Sequence, residues 1–270
     1  MYPVTQMDVY DKGGRLLLAK KSPITPQIIN LLERHGILLS EIEIWPPENI
    51  RSTQFAQAVS SLDQRIRASR VDHYEQLEDI MVAIIFDSKT KPWGGFVQTI
   101  SNYSSWLYAH SINVALLSLL VGRELGYSEK RLLELGIGAF LHDVGKILIA
   151  KSILDKPGTL DDHEIKVMRQ HTEFGAKLLN GFQLPQICLE IAAKHHERMD
   201  GSGYPLGLTA AQIVEEVQIV MVADAIDAIT AYRPYRSSSL LSEGITILLN
   251  KGDKYPHHII SIIHTSLGES

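Results

Sequence analysis

From residue 97 to the end of the chain no segment alternates apolar with polar residues as a half-buried strand must, and the apolar positions recur at helical spacing. This stretch is therefore restricted to packed helices. The pattern predicts helices over 97–125, 128–142, 161–180, 184–197, 208–231, 238–250 and 255–266. Gly122, Gly126, Gly145, Gly158, Gly181 and the Gly201–Gly207 loop punctuate them. The expected fold class is mainly α, an all-helical bundle over 97–270 preceded by a small α/β N-terminal unit over 1–50 and a helical connector over 51–96.

The first unit rests on weaker signals. Lys12-Gly-Gly marks a turn, Arg15-Leu-Leu-Leu-Ala reads as a short strand, Pro26 to His35 as a helix stopped by Gly36, and Ile42-Glu-Ile-Trp as an edge strand closed by Pro46-Pro47. So few residues bury little core alone. Residues 52–86 read as one long helix, either a connector and dimer stalk or the first helix of the bundle, before Lys91-Pro-Trp-Gly-Gly breaks it.

Composition narrows the partners. A formal charge of -5 and a pI near 6.1 argue against a nucleic-acid-binding surface, although a few local Lys and Arg can still hold the phosphates of a small ligand. The one cysteine, Cys188, leaves no intrachain disulfide and reads as a buried small hydrophobe. The N-terminus lacks a signal-peptide pattern, and the apolar stretch from Ile112 to Val121 is shorter than the roughly 20 residues a bilayer demands. A cytoplasmic protein without a membrane segment is the expectation.

The histidines carry the chemistry. His110, His142, His171 and the pair His195-His196 follow one another at intervals of 24 to 32 residues, about one helix plus one loop. Each helix of a bundle can thus present a ligand to a shared centre. Asp143 follows His142, and Asp224 arrives on the helix after the glycine-rich loop. Taken singly, each histidine reads as a packed or solvated helix residue; the series with helix-length gaps does not. Five imidazoles and two carboxylates suit two mid-row ions such as Fe or Mn.

Leu141-His-Asp-Val-Gly-Lys, Lys194-His-His-Glu-Arg-Met-Asp-Gly-Ser-Gly-Tyr-Pro and Val222-Ala-Asp-Ala-Ile-Asp-Ala together resemble the HD-GYP family of the HD superfamily of metal phosphohydrolases. The likeness runs from about 97 to 266, and Arg233-Pro-Tyr-Arg supports it. It implies an HD-type bundle and hydrolysis of cyclic di-GMP to the linear dinucleotide, and in some members on to GMP. By motif, the metal ligands are His110, His142, Asp143, His171, His195, His196 and Asp224, with Asp143 bridging. Trp106 stands where three-metal members carry a glutamate, which implies two divalent ions.

Lys146, three residues past Asp143, is the candidate contact to the phosphate or the leaving oxygen, and Asp227, one turn past Asp224, the candidate support for a ligand. Gly203 and Tyr204 of the loop and Arg233 and Arg236 beyond it are the candidate substrate contacts. The expected partners are cyclic di-GMP, a second copy through the connector, and signalling proteins. The rival readings are phosphodiesterase action on another cyclic dinucleotide, and a catalytically weak sensor or docking scaffold.

Overall fold

The computed structural model describes residues 4–5, 7–20, 22, 28, 31–32, 34–37, 42, 44–45, 48–65, 74–86, 91–231 and 239–266. At the N-terminus, β1 (Val4–Thr5) pairs antiparallel with β4 (Ile44–Trp45), and β2 (Val9–Tyr10) with β3 (Leu16–Leu18). The turn between β2 and β3 is built by Asp11, whose carboxylate accepts from the backbone N–H groups of Gly13 and Arg15, both at 2.9 Å. Val9, Leu18, Leu32 and Ile42 form a small core of their own. The two strands read from the sequence are present. The helix expected over 26–35 falls largely outside the described residues.

The rest is helical: α1 (Glu48–Asp63), α2 (Tyr74–Phe86), α3 (Gly94–Tyr103), α4 (Ser105–Glu124), α5 (Glu129–Leu141), α6 (Lys151–Leu154), α7 (Asp162–Arg169), α8 (His171–Asn180), α9 (Gln186–Lys194), α10 (Glu215–Thr230), α11 (Leu241–Leu249) and α12 (His257–Ser266). The fold class is the expected one, a helical bundle with a small α/β start. Its axis is α4, which packs against α1, α2, α3, α5, α10 and α12. By length and composition α4 is apolar enough to cross a membrane, longer than the Ile112–Val121 run read from the sequence; but 83% of its apolar window is buried in the bundle, as a central core helix requires.

Three expected helices are interrupted, each for a local reason. The helix expected over 97–125 breaks at Ser104, whose extended backbone ends α3 and whose hydroxyl accepts from the Leu107 N–H to cap α4. The one expected over 161–180 is divided between α7 and α8, so that His171 opens a new helix instead of lying within one. Over 208–231, a single 3-10 turn at Ala210–Gln212 precedes α10. Residues 52–86 are not one described helix but α1 and α2, with 66–73 outside the described residues. Ala58, Val59 and Leu62 of α1 and Leu77, Met81, Ile84 and Ile85 of α2 lie in the same hydrophobic core as the helices after residue 97. Cys188 is fully buried there, and burial pushes its thiol up to about 12, so it packs and does not react.

Because Leu62 is wholly buried against that shared core, Leu62→Ala is expected to cost about 2–5 kcal/mol in a single cooperative transition. Denaturant unfolding of the full chain checks this. A loss below about 1 kcal/mol, or a separate early transition, would show that α1 is not part of the bundle.

Candidate metal centre

Every metal ligand expected from the sequence arrives in one buried cluster. His110 lies in the middle of α4, His142 caps the end of α5, Asp143 follows it, His171 opens α8, His195 and His196 follow α9, and Asp224 lies in α10. His110, His142, Asp143, His171 and His195 are at most 3% exposed.

Two groups of donor atoms form, each within 4.8 Å internally: His110, His142 and Asp224 in one, Asp143, His171, His195 and His196 in the other. Asp143 faces both. Its Oδ2 lies 3.5 Å from His110 Nε2 and 3.4 Å from His142 Nε2, and its Oδ1 lies 3.2 Å from His171 Nε2 and 3.6 Å from His195 Nε2. Asp224 adds Oδ1 at 3.1 Å from His110 Nε2 and Oδ2 at 3.9 Å from His196 Nδ1. Donors bound to one ion at about 2.1 Å stand about 3–4 Å from one another, so these separations fit metal coordination.

The tautomers point the same way. His142 Nδ1 lies 2.7 Å from Ala139 O, His171 Nδ1 2.7 Å from Met168 O, and His195 Nδ1 3.0 Å from Ile191 O. A carbonyl only accepts, so each Nδ1 carries a proton and each ring turns its Nε2 to the centre. The three carbonyls are among the last four of α7, α5 and α9, where the intrahelical ladder is short of donors, although Ile191 O also accepts from the His195 N–H at 3.0 Å. A histidine just past a helix end can therefore satisfy a spare carbonyl and orient itself in one bond. His110, in mid-helix, has no spare carbonyl; its Nδ1 lies 2.6 Å from Asp227 Oδ2 instead. His142 Nε2 and Asp143 Oδ1 are buried without a hydrogen bond, and His171 Nε2 faces His195 Nε2 at 3.3 Å. Facing lone pairs are what a bound cation satisfies.

The electrostatics follow from burial. Burial pushes His171 down to about 3 and holds His195 and His196 below their ordinary range. Burial would lower His110 too, but hydrogen bonds to Asp143, Asp224 and Asp227 outweigh it and raise His110 to about 10. Burial opposes ionisation of Asp143 and Asp224; the Lys146 charge and His142 for Asp143, and His110 and His196 for Asp224, nevertheless hold both well below the usual carboxylate range. The sequence places Lys146 near Asp143, and the structure seats its half-buried ammonium on Asp143 Oδ2, because a 3-10 turn over Val144–Leu148 continues the chain. That turn demands Gly145: a β-carbon there would stand 2.0 Å from His171 O.

The Gly-Tyr-Pro loop closes one side. A β-carbon on Gly203 would fall 2.3 Å from the Arg198 N, so the loop backbone lies directly on the segment after the paired histidines. The fully buried Glu197 carboxylate clamps it, accepting from the N–H groups of Leu206 at 2.7 Å and Leu208 at 2.9 Å. The Tyr204–Pro205 peptide is cis. Tyr204 stacks on His196 with ring centroids 4.8 Å apart at 23°, and the exposed Arg169 sets its guanidinium 4.8 Å from the same ring. Burial keeps the Tyr204 phenol protonated above its usual range. Trp106 donates to Asp155 Oδ1 at 3.0 Å, away from the ligand groups. Arg233 and Arg236 lie outside the described residues.

Sequence reasoning left three contributors unassigned. Glu197 was legible only as a letter of the motif, and Arg169 only as a residue near His171. Arg65, which hydrogen-bonds Asp227 from 162 residues away, carries no local signal at all.

The comparisons agree with this geometry. The HD domain family model matches residues 96–258, three-fifths of the chain, which therefore belongs to the HD domain family. The HD-GYP resemblance read from the motifs stands with it. Among relatives, the cyclic di-GMP phosphodiesterase of Thermotoga maritima is 44% identical over 138 residues, covering 50% of this chain and 38% of that protein. The cyclic di-GMP phosphodiesterase response regulator RpfG of Xanthomonas campestris pv. campestris is 34% identical over 202 residues, covering 73% of this chain and 50% of that protein. The chain thus spans half or less of the length of these relatives. Among solved structures, Bd1817, an HDG"Y"P protein from Bdellovibrio bacteriovorus, shares the fold at a TM-score of 0.53 and 15% identity, over 99% of this chain and 94% of that one.

The depressed histidines set a pH dependence for the metal-free protein. Between the ordinary value of 6.5 and about 3, unfolded His171 binds a proton that the folded site refuses. Stability is therefore full above 6.5 and falls as pH drops through that window, with His195 and His196 acting in the same sense. The raised His110 acts on the other side, its contribution being lost only as pH rises toward about 10. Thermal unfolding of chelator-treated protein between pH 7 and 5 is expected to show a falling midpoint; a flat profile would contradict the neutral-imidazole arrangement.

Proposed function

We propose that the chain is a metal-dependent phosphodiesterase that hydrolyses cyclic di-GMP to the linear dinucleotide. The carrying observation is Asp143, whose two oxygens each face a separate pair of imidazole Nε2 atoms. In this reading His110, His142 and Asp224 would hold one divalent ion and His171, His195 and His196 the other, with Asp143 between them serving both. Imidazole with carboxylate favours Fe or Mn over Mg or Ca. Such a pair supplies an acidified water and neutralises charge on a phosphodiester.

The chain's own groups do the rest. Lys146, paired with Asp143 Oδ2, would offer its ammonium to a phosphate oxygen at the same edge of the site. Tyr204, protonated and stacked on His196, offers a hydroxyl donor and a ring face to a guanine. Arg169, over the same ring, adds an exposed cation beside the site for a phosphate group. Glu197 and Gly203 keep the loop backbone pressed against the ligand-bearing segment, so that Tyr204 is held in place before substrate arrives. The names of the Thermotoga and Xanthomonas relatives support the choice of substrate.

The test is metal analysis of protein purified without oxygen, with cyclic di-GMP hydrolysis followed in the same sample beside cyclic di-AMP and the hybrid guanine–adenine dinucleotide. About two Fe or Mn ions per chain and turnover of cyclic di-GMP in preference to the others are expected. Asp143→Asn is expected to lose more activity than the roughly 100-fold typical of removing a ligand's supporting partner. Bound metal and retained cyclic di-GMP binding, without turnover under any metal, would replace the enzyme by a sensor.

A further inference from the structure

His110 is the ligand that the helix-end device cannot orient, and the structure supplies it with a longer chain of supports. Asp227 Oδ2 lies against His110 Nδ1, and Asp227 Oδ1 accepts from Asn113 Nδ2 at 3.1 Å and from Arg65 Nη2 at 2.7 Å. Arg65 sits just past the end of α1, outside the span of the family match. It is 2% exposed and Asp227 is 0% exposed. Its other nitrogens are spent nearby: Nη1 donates to Thr230 Oγ1 at 2.9 Å and Nε to Ser61 O at 3.2 Å. Its carbonyl accepts from the Leu241 N–H at 3.1 Å, which ties the same residue to the start of α11.

We propose that Arg65 is a positioning residue for the metal centre: from the segment before the ligand-bearing helices it fixes the Asp227 carboxylate, which in turn orients His110. The geometry gives the reason. A carboxylate with no solvent can turn about its bonds unless both oxygens are held, and Asn113 alone holds Oδ1 with a single neutral donor. The guanidinium adds a charged, planar donor anchored to Ser61 on one side and Thr230 on the other, and Thr230 lies on the same helix as Asp227 and Asp224. Withdrawing α1 removes that anchor. The seating of α1 thereby controls how well His110 binds metal, so a change in the N-terminal segment reaches the centre without touching a ligand.

The proposal rests on the metal reading of the cluster but not on the substrate, so its test is metal affinity. The full chain, stripped with chelator, is titrated with Co(II), following both the binding isotherm and the visible absorption, which reports the ligand geometry. Arg65→Met is expected to weaken binding about 10–100-fold and to alter the spectrum, with Arg65→Lys in between. In an Asp227→Asn background the same Arg65→Met change is expected to cost little more, because the effect passes through Asp227. Parent-like affinity and spectrum in Arg65→Met, or an equal loss in both backgrounds, would overturn the proposal. Should Arg65→Met not fold, Arg65→Lys decides: weakened binding supports the role, parent affinity overturns it. A parent chain that binds no Co(II) would instead remove the metal reading itself.

Discussion

A neutral imidazole can bind a cation only through a nitrogen without a proton, and in this protein that condition is met by what each ring does with its other nitrogen. His142, His171 and His195 donate Nδ1–H to carbonyls at the ends of helices α5, α7 and α9. Those carbonyls lie in the last turn of each helix, where the ladder is short of donors, although Ile191 O also accepts from the His195 N–H; one hydrogen bond thus fixes a ring and aims its Nε2. The cluster is therefore a property of where helices stop. It explains why His142, His171 and His195 lie at helix boundaries and why the 161–180 segment divides at His171.

His110 shows the same rule from the opposite side. It lies in the middle of α4, the most enclosed helix of the bundle, where every nearby carbonyl is already used. Its acceptor has to come from another helix, and Asp227 of α10 provides it. A buried carboxylate then needs its own partners, which Asn113 and Arg65 supply. Placing one candidate ligand in mid-helix thus enlists a residue from a distant part of the chain.

The loop around Tyr204 obeys a steric condition. Backbone must approach backbone at two places, Gly145 against α8 and Gly203 against the segment after α9, and a β-carbon would collide at either. Glu197 then converts the second approach into a clamp through the Leu206 and Leu208 amides. Tyr204, His196 and Arg169 meet because of that clamp.

Much of this was readable in the linear chain, and the division has a physical basis. Helical periodicity after residue 97, the helix-length spacing of the histidines, and the His-Asp and Gly-Tyr-Pro motifs are local or periodic patterns, and they sufficed for the fold class and for the candidate ligands. The interruptions at Ser104 and Gln170 were not readable, because a single polar residue inside an apolar pattern does not reveal whether its side chain caps a helix or faces water. The packing of α1 and α2 into the main core is one of two arrangements their sequence allows, since an amphipathic helix carries no label for what covers it. Arg65 by itself is a residue past the end of a helix, as compatible with solvent as with burial. Sequence determined which groups could bind metal; only tertiary structure decided which carboxylate oxygen faces which imidazole, and that Arg65 and Asp227, 162 residues apart, share one dry pocket, because such pairing depends on helices closing in three dimensions and leaves no periodic trace.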